Sequence, residues 1–171
     1  VTNTVMVGEA LQAGTVSVES EYIFETTAES SIAGDFAGAG TMTKRGEFDL
    51  TLEAAGSTTA GPELELAQGN MALAGTGSFN GVRSMAEGTE LTVAEGADIT
   101  FADSVTGTDV ALQGKMNLQS GDSALNSVNG SGSLNVADAA TLALAENSSV
   151  GTFENAGSVT AAQDLLIEEN V

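Results

Sequence analysis

The chain has 171 residues and a strongly acidic composition, with 24 Asp and Glu against four Lys and Arg and a formal net charge of −20 at pH 7. Phosphate backbones and anionic bilayers attract clustered basic side chains, so this balance argues against a nucleic-acid partner and against an anionic membrane surface. With neither His nor Cys, the sequence excludes Ser-His-Asp and Cys-His catalysis, disulfides and the usual zinc and haem ligand sets.

Apolar residues make up 42% of the chain, but aromatic residues make up only 4%, and Trp is absent. A core of Ala, Val and Leu is thin, which suits the narrow interior of a stack of coils better than a globule. The length is that of one domain. We therefore predict a single all-β domain over residues 1–171, in which 1–55 is less regular and a candidate cap, and 56–171 forms repeating coils.

The first third of the chain reads as strands without a clear repeat. Residues 47–53 alternate polar and apolar side chains, which predicts that Phe48, Leu50 and Leu52 face the core. Residues 30–40 are small and rich in glycine, which favours a loop or a close-packed turn.

The single proline, Pro62, follows the small-residue stretch 56–61 and marks the best candidate boundary in the chain. The alternation of a strand resumes directly afterwards at Leu64 and Leu66. The sequence therefore predicts a turn at this point, within one domain.

From residue 82 to residue 168 the sequence nearly repeats itself. Glycines recur at 107, 132 and 157, and apolar residues recur at Leu66, Leu91 and Met116, all at the same step. Such a step is typical of repeat architectures, and here it predicts a parallel β-helix-like solenoid with about 25 residues per coil.

Within this stretch, short apolar–polar–apolar triplets alternate with turn-forming clusters of Gly, Asn, Asp and Ser. The period of two is that of a strand with one buried face. An antiparallel, pilin-like β-sandwich is the alternative fold. A helix is a further alternative only at residues 136–146 and 160–169, which are rich in the helix formers Ala and Leu.

Paired carboxylates are the remaining candidates for chemistry. A glycosidase needs two carboxyl groups across a cleft, usually with aromatic platforms, and this chain has one Tyr and no Trp. We predict that the protein is not an enzyme and has no catalytic or cofactor-binding residues. Oxygen ligands for calcium are abundant, but no calcium-binding motif occurs, so metal ligands stay unassigned.

Residues 88–101 and 132–144 resemble the Gly/Ala/Thr-rich repeats of bacterial surface β-solenoids, such as autotransporter passengers and adhesins. The likeness covers about half of the chain, and these 171 residues contain no counterpart of the C-terminal translocator barrel of whole autotransporters. It implies a secreted or cell-surface bacterial protein with a structural or adhesive role. The chain begins without the features of a signal peptide, and we expect that such a peptide has been removed. No stretch of the sequence reaches the roughly 18 uninterrupted apolar residues of a membrane span.

These features favour a non-catalytic extracellular structural subunit that assembles with copies of itself into a filament or surface layer. A monomeric adhesin or ligand-binding module of the cell surface is the alternative. A pilin-like subunit completed by a donated strand is a further one.

The two ends of the chain predict where self-assembly occurs. The strand-like segments 4–7 and 164–168 lack the proline that protects an edge strand, and their centres are apolar. A head-to-tail contact that does not close produces a fibre. We predict Val5, Val7, Leu165 and Ile167 at the joint.

Overall fold

The computed structural model describes residues 3–56 and 59–169, and every regular element in them is a β-strand. No helix occurs in these residues, and so none that is long and apolar enough to cross a membrane. The strands are β1 (Asn3–Val7), β2 (Ala10–Ser17), β3 (Glu21–Thr26), β4 (Ser30–Ala37), β5 (Thr41–Arg45), β6 (Leu50–Ala55), β7 (Gly61–Leu66), β8 (Met71–Met85), β9 (Glu90–Val93), β10 (Asp98–Phe101), β11 (Asp109–Leu112), β12 (Lys115–Leu125), β13 (Ser127–Asn129), β14 (Ser133–Leu144), β15 (Ser148–Val150), β16 (Thr152–Asn155), β17 (Ser158–Ala161) and β18 (Leu165–Ile167).

All strand pairings are parallel, and the strands wind into a β-solenoid of about nine turns. Each turn passes through three ladders in the same order. Ladder A runs from β1 through β3, β5 and β7 to β17, ladder B from β2 through β4, β6 and β9 to β18, and ladder C from the end of β2 through β10 to β16. The long strands β8, β12 and β14 bend from one ladder into the next, so the whole solenoid is one continuous sheet.

The predicted β-solenoid is confirmed, but the coil is shorter than the predicted 25 residues. Adjacent strands are about 19 residues apart, and Leu91 pairs with Met71 and Val110, not with Leu66 and Met116. A step of about 25 residues is one coil plus roughly a third of the next, and it therefore carries an apolar residue from one ladder to the corresponding place on the following ladder. Because all three ladders have the same alternation, the sequence repeats at this longer step as well.

Inward side chains of successive coils stack in columns that form the core. In ladder B one column consists of buried aliphatic residues, among them Leu52, Leu73, Val93 and Leu112. In ladder C the rings of Phe36 and Phe79 lie 5.7 Å apart and those of Phe79 and Phe101 6.4 Å apart, measured between centroids. Such columns make each coil dependent on its two neighbours.

The alternative folds do not occur. An antiparallel sandwich is incompatible with the parallel register of every pairing. The two Ala- and Leu-rich segments that allowed a helix belong to β14, β17, β18 and the turns that follow these strands. In β14 the side chains alternate between core and surface, so the strand buries Ala140, Leu142 and Leu144 on one side, which a helix would not.

Three local predictions in the first third were wrong. Residues 30–37, expected in a loop, form β4, which pairs with β2 and β6. Leu50 and Leu52 are buried as predicted, but Phe48 is 46% exposed, because β6 begins only at Leu50 and Phe48 lies on the corner before it. Pro62, expected in a turn, lies inside β7. Its two neighbours pair with β8, Gly61 with Phe79 and Glu63 with Gly81, while Pro62 itself has no N–H to donate.

Candidate assembly interface

The two ends of the solenoid are the places where strands have a neighbour on one side only. Among the described residues, β1 pairs with β3 and β2 with β4, while at the other end β16 and β17 pair with β14 and β18 with β15. Within residues 3–56 and 59–169, the outer edge of each of these strands carries backbone N–H and C=O groups without a ladder partner. Such edges are templates for pairing with another strand.

The first coil leaves its inward apolar side chains half covered. Val5, Leu11 and Val16 pack against the core but remain partly exposed. Their register partners one coil further in are at most 6% exposed, and these are Phe24, Ile32 and Phe36. Both sets point into the same columns, and the first set is exposed because no coil covers it among the described residues.

The last coils show the same feature at the opposite end. The side chains of Phe153, Val159, Leu165 and Ile167 pack against the core and are partly exposed. Their partners one coil further in are buried, and these are Leu134, Leu142, Ser148 and Val150. Both ends therefore expose the cross-section of one core.

The structure places the four predicted joint residues at these ends, but not opposite one another. Val5 and Val7 lie on ladder A, whereas Leu165 and Ile167 lie on ladder B. Val7 is fully buried, and its carbonyl accepts hydrogen bonds from Thr27 N and Ser30 Oγ at the following corner. It is therefore covered by its own chain.

Sequence reasoning missed the other half-covered side chains, which are Leu11, Val16, Phe153 and Val159. The alternation around each of them is visible in the sequence, but only the true coil length shows that they belong to the terminal coils. Knowledge of the 19-residue spacing is the signal that would have identified them.

Two of the three most exposed large apolar side chains also lie on terminal strands. Met6 on β1 is 58% exposed and Leu166 on β18 is 60% exposed, while Phe48 lies on a corner. Both terminal residues point outward from their strands. An exposed Met or Leu next to an unpaired edge extends the apolar surface that a neighbouring coil would cover.

A shallow groove on the outside of ladder A reaches the last coil. It has a volume of about 460 Å³ and small apolar residues line much of it, among them Ala124, Ala143, Ala145 and Ala162. The groove ends where the solenoid ends, beside β17.

Both ends are negatively charged. The first coil contains Glu9 and Glu19, and the last coils contain Glu154, Asp164, Glu168 and Glu169. All four basic residues lie in inner coils, where Arg83 and Glu63 form an ion pair at 2.8 Å. Two copies brought end to end therefore repel each other until salt screens the carboxylates.

One basic residue lies in the core. Lys44 occupies the inward column between Phe24 and Leu66, is fully buried, and donates from Nζ to Gly46 O at 2.7 Å, Gln68 O at 2.9 Å and Arg45 O at 3.1 Å. Burial lowers the pKa of Lys44, and the carboxylate of Asp49 partly offsets this. The ammonium group thus ties two successive corners together, which is a structural role.

No cluster of three or more potential metal ligands occurs in residues 3–56 and 59–169. Comparison of the chain with known protein families, curated proteins and solved structures finds no match. We therefore infer the function from the fold, and above all from the geometry of its two ends.

Proposed function

We propose that this chain is a non-catalytic structural subunit that stacks end to end with copies of itself into a filament. The observation that supports it most directly is that, in the described residues, ladders A and B end at both faces with unpaired outer edges and half-covered apolar columns. The resemblance of residues 88–101 and 132–144 to bacterial surface repeats leads us to place this filament outside a bacterial cell.

Self-complementarity follows from the parallel solenoid. Each inner coil presents one edge to the coil before it and the opposite edge to the coil after it. In the part of the chain that the structure describes, the first coil leaves one kind of edge unpaired and the last coil leaves the other. A second copy can therefore continue the stack, and because this head-to-tail contact does not close on itself, it produces an open filament.

The expected strength of the joint is modest. Full burial of a Val, Leu or Ile side chain is worth about 1.5–3 kcal/mol, so four half-covered side chains contribute about 3–6 kcal/mol. Association costs about 4–15 kcal/mol in lost freedom, and the new backbone hydrogen bonds offset only part of this. We therefore expect an assembly that depends strongly on protein concentration and, because of the charged ends, on salt.

Sedimentation velocity at several protein concentrations, from about 20 mM to about 500 mM NaCl, tests the proposal. We expect a monomer at low salt and a series of larger species that grows with salt and concentration. Lowering the pH towards the sequence pI of about 4.1 should act in the same direction, since it neutralises carboxylates. A chain that stays monomeric under all these conditions contradicts the proposal and favours a monomeric adhesin.

A further inference from the structure

We propose that the joint between two copies has one defined register, in which β17 is followed by β1 of the next copy on ladder A, and β18 by β2 on ladder B. The inference rests on the proposed end-to-end assembly and specifies its geometry. The partner is a second copy of this chain.

The columns of ladder A determine the register there. One inward column begins with Asn3 and Tyr22 and ends with Leu142 and Val159. The next lies two residues further along each of these strands, beginning with Val5 and Phe24 and ending with Leu144 and Ala161. Continuing both columns places Val5 of the incoming copy on Ala161.

Ladder B independently specifies its own contact. Its column begins with Leu11 and Ile32, runs through Leu52, Leu73, Val93 and Leu112, and ends with Val150 and Ile167. Between Leu112 and Val150 it passes Gly130, because Ala111 pairs with Asn129 and Asn129 with Ser149. Continuation places Leu11 of the incoming copy on Ile167. Both are half covered in the single chain, and each would complete the cover of the other.

The outward side chains support this register. With Val5 on Ala161, Met6 of the incoming copy lies over Ala162, where the apolar groove on ladder A ends. With Leu11 on Ile167, the exposed Leu166 lies beside Ala10. Each protruding apolar side chain thus meets an alanine, and the flexible Met side chain suits an irregular groove.

Ladder C does not close in this joint. In the described residues it ends at β16, one coil earlier than ladders A and B, so Val16 of the incoming copy does not reach Phe153. Ladders A and B carry the contact. Substitutions at Val16 and Phe153 should therefore weaken assembly less than substitutions at Leu11 and Ile167.

Cysteine cross-linking tests the register, because the chain has no cysteine of its own. Neighbouring strands lie about 4.8 Å apart, within the Cα separation that a disulfide spans. Both Met6 and Ala162 are exposed, so the variant carrying Met6→Cys and Ala162→Cys should fold. Under oxidising conditions, at a salt concentration where the wild type assembles, we expect it to form a series of disulfide-linked multimers.

The matched control carries Met6→Cys and Thr160→Cys. In the proposed register Thr160 lies two residues along the strand from the position opposite Met6 of the next copy, so the two cysteines are too far apart to form a disulfide. We expect at most the dimers that Met6→Cys forms alone. Multimers from this control, or none from the Met6 and Ala162 pair while the protein assembles, overturn the register and leave the assembly standing. Absence of assembly by the wild type in sedimentation overturns both.

Discussion

The first coils, residues 3–66, and the last coils, residues 115–169, form the same three ladders with coils of different length. In the first coils Glu21 pairs with Thr41 and Thr41 with Glu63, steps of 20 and 22 residues. In the last coils Lys115 pairs with Ser133 and Thr141 with Ser158, steps of 18 and 17 residues. The ladders thus keep their register while the corners between them change in length.

The buried polar groups of the two regions differ in one respect. In the first coils the side chains donate to corner carbonyls, as Lys44 and Thr26 do. Further along, serine oxygens also accept backbone N–H groups of the preceding coil, as Ser123 does from Val105 at 2.9 Å and Ser148 from Val128 at 3.1 Å. Buried backbone groups must be paired, so a coil that departs from regular strand pairing needs a side chain in place of a strand partner.

The largest expected effect is that of Leu118→Asp, which tests whether the aliphatic columns of the last coils hold the fold. Leu118 is 1% exposed and lies between Phe101 and Val136 in ladder C. An unpaired charge there should cost about 4 kcal/mol or more and unfold the protein, as followed by urea denaturation. Asn117→Asp, on the outward side, should cost about 1–2 kcal/mol, because it loses the hydrogen bond to Asp98 and places two partly exposed carboxylates side by side. Equal effects would contradict the observed strand phase.

Lys44→Met tests the polar corner of the first coils. The substitution keeps a long side chain but leaves the carbonyls of Gly46 and Gln68 without the ammonium donor, and we expect a loss of about 2–3 kcal/mol in the free energy of unfolding. The exposed neighbour provides the control, since Arg45→Met should change stability by less than about 0.5 kcal/mol. A Lys44→Met variant as stable as the wild type would mean that desolvation of the ammonium cancels its hydrogen bonds.

Ser123→Ala tests the acceptor role of serine in the later coils. It removes the partner of the buried Val105 N–H, and we expect a loss of about 1–2 kcal/mol in chemical denaturation. Ser84→Ala, at an exposed position on ladder A, should stay within about 0.5 kcal/mol of the wild type. A loss no greater than that of the control would show that the Val105 N–H finds another acceptor.

The smallest effect is the pH dependence that Lys44 confers. Its pKa is lowered in the folded chain, so the unfolded chain binds the proton more tightly. Burying the charged ammonium group lowers the free energy of unfolding. This cost is fully present below the pKa that Lys44 has in the folded chain, and it is relieved as the pH rises from there towards 10.5, the ordinary pKa of lysine. The stability of the wild type relative to Lys44→Met should therefore increase over that interval. A difference that stays constant or declines contradicts the lowered pKa.

Much of the fold was accessible from the sequence because alternation is a local property. The inward positions of Leu50, Leu52 and Leu118 and the stacking of strands as a solenoid follow from the period of two and from the recurrence of apolar residues. Val5, Leu165 and Ile167 were identified as terminal apolar residues in the same way.

The coil length, the path of residues 30–37, the outward position of Phe48 and the buried Lys44 were decided by the tertiary structure. Each depends on where the chain turns, and three similar ladders allow more than one repeat length for the same pattern. The two ends depend on it as well, because Leu11 and Ile167 belong to one column only once the register of every coil between them is known. Alternation by itself determined which side of each strand is apolar, whereas the packing of coil on coil decided which apolar residues are neighbours.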